Sequence, residues 1–240
     1  MLEHHQLAEM RTKHPDWIWH RSDTHVMLGV PRSHEGLKTV VEPSNSFSPG
    51  VGTFGISTWL FDHQTRRLHA PEQMALPDLH WRFLDGDVPV LISTWRAGTA
   101  EVESRLFTDG DADRSDVKDF FTITLRSDRA ADVSLYLVLR SFGPAGGPVR
   151  QLALGRDGLR VEVNRFPLLH AEEKPDAFGA VSYAEIGEDI GAFLQRGELP
   201  GAQAVEDSST WASGALEYRV RLAPGAPHFV RRRAWRLARR

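Results

Sequence analysis

The stretch Asp116–Pro148, DVKDFFTITLRSDRAADVSLYLVLRSFGPAGGP, constrains the fold more than any other part of the chain. Val117, Phe121, Ile123 and Leu125 occupy odd positions, and so do Val133, Leu135, Leu137 and Leu139. Side chains alternate across a strand, so each run carries one apolar face and predicts a half-buried β-strand. Pairing odd with odd in an antiparallel hairpin sets Arg126 opposite Asp132 around the loop Ser127 to Ala131. That register places opposite charges side by side on the wet face. A slip by one residue would turn the aliphatic face to water, so the register is expected to be firm. Gly143 to Pro148 then ends the run, since a Gly/Pro cluster suits neither helix nor central strand. The expectation is a central hairpin in an antiparallel sheet.

The rest of the chain reads in the same period. Residues 1–14 predict a short helix with Leu2, Leu7 and Met10 on one side, closed by Pro15. His25 to Val30 and Leu37 to Glu42 are predicted strands flanking a turn, and Val90 to Ala97 with Ala100 to Thr108 form a predicted hairpin around Gly98. Phe54 to Asp62, FGISTWLFD, is apolar on both faces, as for a strand covered from both sides. Leu159 to Val163, Phe166 to Ala171 and Ala177 to Tyr183 are further short strands, and Leu216 to Leu222 a closing one. Ile186 to Gly197 is a helical window, giving a short helix near 187–196. Many strands with so little helix predict an all-β chain, a two-layer sandwich of large antiparallel sheets. The chain divides into an N-terminal extension (1–16), the sandwich (17–225) and an arginine-rich tail (226–240).

Charge argues about partners. The last ten residues hold 6 of the 29 basic groups, leaving 23 basic against 32 acidic in the preceding 230. An acidic body disfavours nucleic acid as a ligand of the main fold. The tail itself has too few apolar residues to bury, so residues 233–240 are expected to be loosely ordered, with at most His228 to Arg232 pairing as an edge strand. The chain has no cysteine, its N-terminus lacks a signal-like apolar run, and no window suits a membrane span; a cytoplasmic protein is the expectation.

Several phrases occur together: FSPGVGTFGISTWLFD (Phe47–Asp62), LYLVLRSFGPAGGPV (Leu135–Val149), GEDIGAFLQRGELPG (Gly187–Gly201) and GALEYRVRLAPG (Gly214–Gly225). Their order and wording resemble the N-terminal β-sandwich, of supersandwich or galactose-mutarotase-like type, of carbohydrate-active enzymes. In glucoamylase-like, glycoside-phosphorylase-like and debranching-enzyme-like proteins this domain precedes an (α/α)6-barrel catalytic domain. The resemblance implies a two-layer β-supersandwich that supports or caps such a barrel, in cis or in trans. It implies an oligo- or polysaccharide as the associated ligand. The catalytic carboxylates of those enzymes lie in the barrel, and no position here matches one, so no catalytic residue is assigned. A free-standing carbohydrate-binding module and a mutarotase-like epimerase are the alternatives.

The residues bearing chemistry are few. Trp81 lies among His80, Arg82 and Asp85 near a turn, so Trp81, His80 and Asp85 are the candidate sugar contacts, an indole face being a platform for a pyranose. The loop Pro43 to Gly55 has no charged residue, and Ser46, Phe47 and Val51 are its candidate docking positions, because Phe47 and Val51 on a mobile loop would be exposed apolar groups. Trp59 and Trp95 fall inside strands and read as core. Glu101 and Glu103 share one strand face, which puts both on one side of a sugar rather than across its bond; they read as solvated. Asp109, Asp111 and Asp113 are spaced like a calcium loop, but Arg114 and Phe120 stand where that loop needs Gly and Glu. His20, Asp23 and His25 could reach one cation only through a bend. No metal and no cofactor motif is assigned.

Overall fold

The structure, a computed structural model, describes residues 4–236 apart from 22–23, 85–88, 115 and 142. A short helix α1 (His4–Lys13) leads into strands β1 (Val26–Leu28), β2 (Thr39–Val41), β3 (Phe47–Ser48), β4 (Gly55–Asp62) and β5 (Arg67–His69). There follow β6 (His80–Phe83), β7 (Leu91–Ala97), β8 (Ala100–Asp111), β9 (Asp116–Ser127) and β10 (Ala131–Arg140). The C-terminal part adds β11 (Gln151–Leu154), β12 (Arg160–Val163), β13 (Phe166–Ala171) and β14 (Ala177–Val181). Helices α2 (Tyr183–Ile186) and α3 (Ile190–Gln195) precede β15 (Ala204–Glu206), β16 (Ser213–Leu222) and β17 (His228–Arg236). The first sheet runs β1-β2-β3-β4-β10-β16-β14, with β5 beside β4; the second runs β15-β11-β12-β13-β17-β9-β8-β7-β6. All these ladders are antiparallel, so the chain is the two-layer all-β sandwich that the period-two pattern predicts.

The central hairpin is corrected. β9 bonds to β8 and β17, while β10 bonds to β4 and β16, so the two alternating runs lie in different sheets. Arg126 stands opposite Glu101, and Asp132 opposite Arg221, whose Nε is 3.0 Å from Asp132 Oδ1. Both odd faces are buried as expected. They meet across the gap between sheets rather than along a ladder. Alternation tells which side of a strand is dry; it does not tell whether the neighbour lies beside the strand or, about 10 Å away, in front of it. The residues Asp128 to Ala130 are therefore a corner between sheets.

The sheets are joined by polar groups as well as by the core. Phe47 on β3 meets Phe121 on β9 at 5.3 Å between ring centres. Beside them Asp119 on β9 is buried, taking the hydroxyl of Thr39 at 2.7 Å and that of Thr108 at 2.8 Å. The loop expected to dock a partner is turned inward. The Asn45 amide donates to Ser104 Oγ at 2.6 Å, Ser93 Oγ donates to the Pro43 carbonyl at 3.0 Å, and Ser46 and Phe47 are wholly buried, leaving only Val51 of the three candidates exposed. Their partners lie within the chain because a buried loop must satisfy its polar groups internally.

Two glycine-rich loops touch backbone to backbone. A Cβ on Gly55 would fall 2.3 Å from the Gly143 Cα, and one on Gly147 would fall 2.1 Å from the Thr53 carbonyl carbon. The tail is also corrected. β17 continues to Arg236 and lies between β9 and β13, inside the second sheet rather than at its edge. Its backbone supplies hydrogen bonds that two neighbours need, which outweighs its unfavourable composition.

Two outcomes follow from this packing. Deleting residues 228–240 strips the ladders from β9 and β13 and is expected to lower the circular-dichroism melting temperature by several degrees or abolish cooperative unfolding. Burial pushes the Asp119 carboxyl from its ordinary 3.8 to about 6, against the pull of the two threonine hydroxyls. A raised acid pKa adds stability below its unfolded value and loses it as pH rises through the folded value. Between pH 7 and pH 4 the wild type should therefore gain roughly 2 kcal/mol relative to Asp119→Asn in urea unfolding.

Candidate functional site

The outer face of the first sheet is closed to water over β4 and the adjoining parts of β10 and β16, as the two-faced apolarity of β4 predicts. Trp59 and Phe61 of β4, Tyr136 and Val138 of β10 and Ala215 of β16 pack under Ile190 and Leu194 of α3 and under Ile18 of the N-terminal segment. Into this face β10 delivers Arg140, its last residue, only 1 % exposed. The guanidinium carbon lies 4.5 Å from the centre of the Trp59 ring. Nη1 donates to the Ile18 carbonyl at 2.5 Å and lies 3.6 Å from Asp189, and Nη2 lies 3.9 Å from Glu72 and 3.4 Å from His20 Nε2. His20 Nδ1 is 3.2 Å from Glu42. Glu72 also receives the Ser46 hydroxyl at 2.7 Å and the Trp59 indole N–H at 2.9 Å.

The contacts assign the protonation. Arg140 can only donate, so His20 Nε2 accepts from it and Nδ1–H points to Glu42, the neutral tautomer. Three carboxylates then face one guanidinium. Burial raises the Asp189 carboxyl above the usual range, with Arg140 pulling it back. Acids, imidazole and guanidinium are all sealed from solvent. The arrangement holds the N-terminal segment onto the sheet, its charged groups facing one another rather than solvent.

No known protein-family model matches the chain, and no curated protein matches it.

The candidate residues fall elsewhere. Trp81 is half-buried, packing on the main core and pairing with buried Ser93, on the strand at the edge of the second sheet. His80 is exposed beside it, and Asp85 lies outside the described residues. Glu101 and Glu103 are held by Arg126 at 3.7 and 3.6 Å, and Glu103 by Arg105 at 2.9 Å. Asp109 and Asp111 cap backbone amides, and Asp113 meets Arg32 at 2.8 Å. Asp23 also lies outside the described residues, and among the described ones no group of three His, Asp or Glu side chains could hold a metal. A cleft of ≈ 460 Å³ separates residues 13–18 from residues 187–196. Its indole, Trp17, is already stacked on His14 at 4.0 Å and flanked by Trp19 and Tyr183.

Sequence reasoning missed the Arg140 cluster because its members lie at positions 18, 20, 42, 72, 140 and 189. The one local signal is an arginine ending the apolar run LYLVLR. Removing the cation from a buried pair leaves its acids uncompensated, so Arg140→Ala is expected to cost ~3–5 kcal/mol in urea unfolding. Amide exchange at residues 18–20 should quicken in the same variant.

Proposed function

We propose that the chain is a non-catalytic β-supersandwich domain of the kind associated with carbohydrate enzymes, supporting or capping an (α/α)6 catalytic barrel in cis or in trans. The observation that carries the reading is the sealed Arg140 cluster. The densest set of acid, base and guanidinium groups described is buried by the chain's own N-terminal segment and works as a clamp. Support for the carbohydrate association is the resemblance of the four phrases, two of which, around Gly55 and Gly143, pack on each other and so form one structural unit. The paired glutamates of β8 lie on one strand face and are tied to arginines, so they cannot flank a glycosidic bond.

A free-standing carbohydrate-binding module is the second reading, favoured by a small open pocket beside β16. A mutarotase-like activity would want an imidazole and a carboxylate in one cleft. The cleft between residues 13–18 and 187–196 brings His14 together with Asp16 and Glu188, but His14 is held by the Tyr183 hydroxyl at 2.9 Å and stacked on Trp17. His63, joined through buried Ser134 to Glu217, does not line the pocket beside β16. Neither nucleic acid nor membrane is proposed as a partner; no described helix is long and apolar enough to cross a bilayer. The absence of cysteine supports the cytoplasm as the compartment.

Purified chain incubated with aryl glycosides and soluble α-glucans is expected to release no sugar. Steady turnover lost in Glu101→Gln or Glu103→Gln would overturn the reading. An in-frame helical segment downstream in the gene, co-purifying with this chain when the two are expressed together, is the positive result; failure to associate counts against it.

A further inference from the structure

The pocket beside β16 lies where the outer face of the first sheet meets residues 197–201. It encloses ≈ 310 Å³, within the range of small-molecule sites, and is lined by Tyr136, Phe178, Leu199, Pro200, Glu217 and Arg219. Glu217 stands opposite Tyr136 in the β10–β16 ladder, and a carboxylate at 4 % exposure in mid-sheet is costly unless held. It is held closely. Ser134 Oγ donates to Glu217 Oε1 at 2.7 Å and the Tyr136 hydroxyl to the same oxygen at 3.4 Å. On the solvent side Arg219 Nη2 donates to Oε2 at 3.3 Å, while its side chain remains 70 % exposed. The Arg219 backbone N–H is fixed by Asp176 at 2.7 Å.

The chemistry of the ligand follows from this wall. The charges of Glu217 and Arg219 cancel, so neither an anion nor a cation is preferred. The guanidinium offers further donors, and the carboxylate and the phenol oxygen offer acceptors, within one short stretch of surface. Ala177, Leu199 and Pro200 supply an apolar side, Phe178 contributing only its backbone because its ring points into the core between the sheets. A neutral molecule with adjacent hydroxyls and a C–H face satisfies all three: one hydroxyl accepts from Arg219, its neighbour donates to Glu217 or Tyr136, and the carbons lie against the apolar wall. We infer that this pocket is a binding site for the vicinal diol of a sugar, with Glu217 and Arg219 as the clamp and Tyr136 as its rigid floor. The choice of a sugar among diols rests on the carbohydrate-associated reading above; the diol preference rests on the pocket alone.

The test is a titration of the full chain followed by backbone amide NMR, with methyl α-D-glucopyranoside, trans-1,2-cyclohexanediol and cyclohexanol as probes. The glucoside and the diol are expected to give saturable shifts at residues 197–201 and 217–219. Cyclohexanol should bind about tenfold more weakly, and Arg219→Gln should weaken the diol by about tenfold, the size of one lost charged hydrogen bond. Arg221→Gln, two residues along and 87 % exposed at its side chain, should bind as wild type. If an Arg219 variant folds poorly, Tyr136→Phe, which removes the hydroxyl and keeps the ring, should weaken the diol without changing cyclohexanol, and unchanged diol binding in it counts against the site. Absence of saturable shifts, equal binding of cyclohexanol, or full affinity in Arg219→Gln overturns the site. Glucoside shifts confined to the surroundings of Trp81 would overturn it while leaving a carbohydrate association standing. Sugar release by the chain alone would sink the support reading without touching the pocket.

Discussion

Arg140 carries a full charge into a sheet face that is closed to water, and the N-terminal third of the chain is arranged to make that tolerable. A lone buried guanidinium would cost many kcal/mol, so acids, a neutral imidazole and a main-chain carbonyl converge on it from four separate segments. Each converging group ties down the segment that bears it. Ile18 and His20 bring the N-terminal segment, Glu42 the end of β2, Glu72 the turn after β5, and Asp189 the start of α3. One buried charge thus sets where four otherwise independent connections lie. A hydrophobic residue of similar size could fill the same space, but it would not select those partners.

The first sheet, covered on both faces, differs from the second, which presents its charged side chains on β8 and β9 to solvent. This asymmetry decides where chemistry is available. Groups under the cover are buried, and where the cover ends, beside residues 197–201, Arg219 reaches solvent from a strand whose neighbouring residues are buried. Close glycine approaches at the opposite ends of β4 and β10 have the same origin. Loops that pack over a covered sheet must come within backbone distance of one another, and only residues without a Cβ allow it.

Individual strands were legible in the sequence because period-two patterning is a local property. The buried faces of β8, β9, β10 and β16, the two-sided burial of β4, and the core positions of Trp59 and Trp95 all follow from residues within one segment. The pairing of β9 with β10 was not legible, since the same apolar face serves a ladder or a sandwich equally well. Nor was the place of β17. The six residues of arginine, alanine and tryptophan that follow His228, Phe229 and Val230 in β17 look unsuited to a sheet interior, yet the gap between β9 and β13 requires a strand there.

The candidate site divides in the same way. Sequence by itself determined that the chain is built of alternating strands, that it has no thiol chemistry, and that no nucleophile or phosphate-binding motif is encoded. Tertiary structure alone decided which polar residues meet. Ser46 and Phe47 became interior, Trp81 became part of a sheet edge, and Glu217 and Arg219, which alternate with Leu216, Tyr218 and Val220 in the sequence, became one wall of a pocket. The physical reason is range. Alternation is imposed by backbone geometry two residues at a time, whereas burial of a charge depends on what the rest of the chain lays over it.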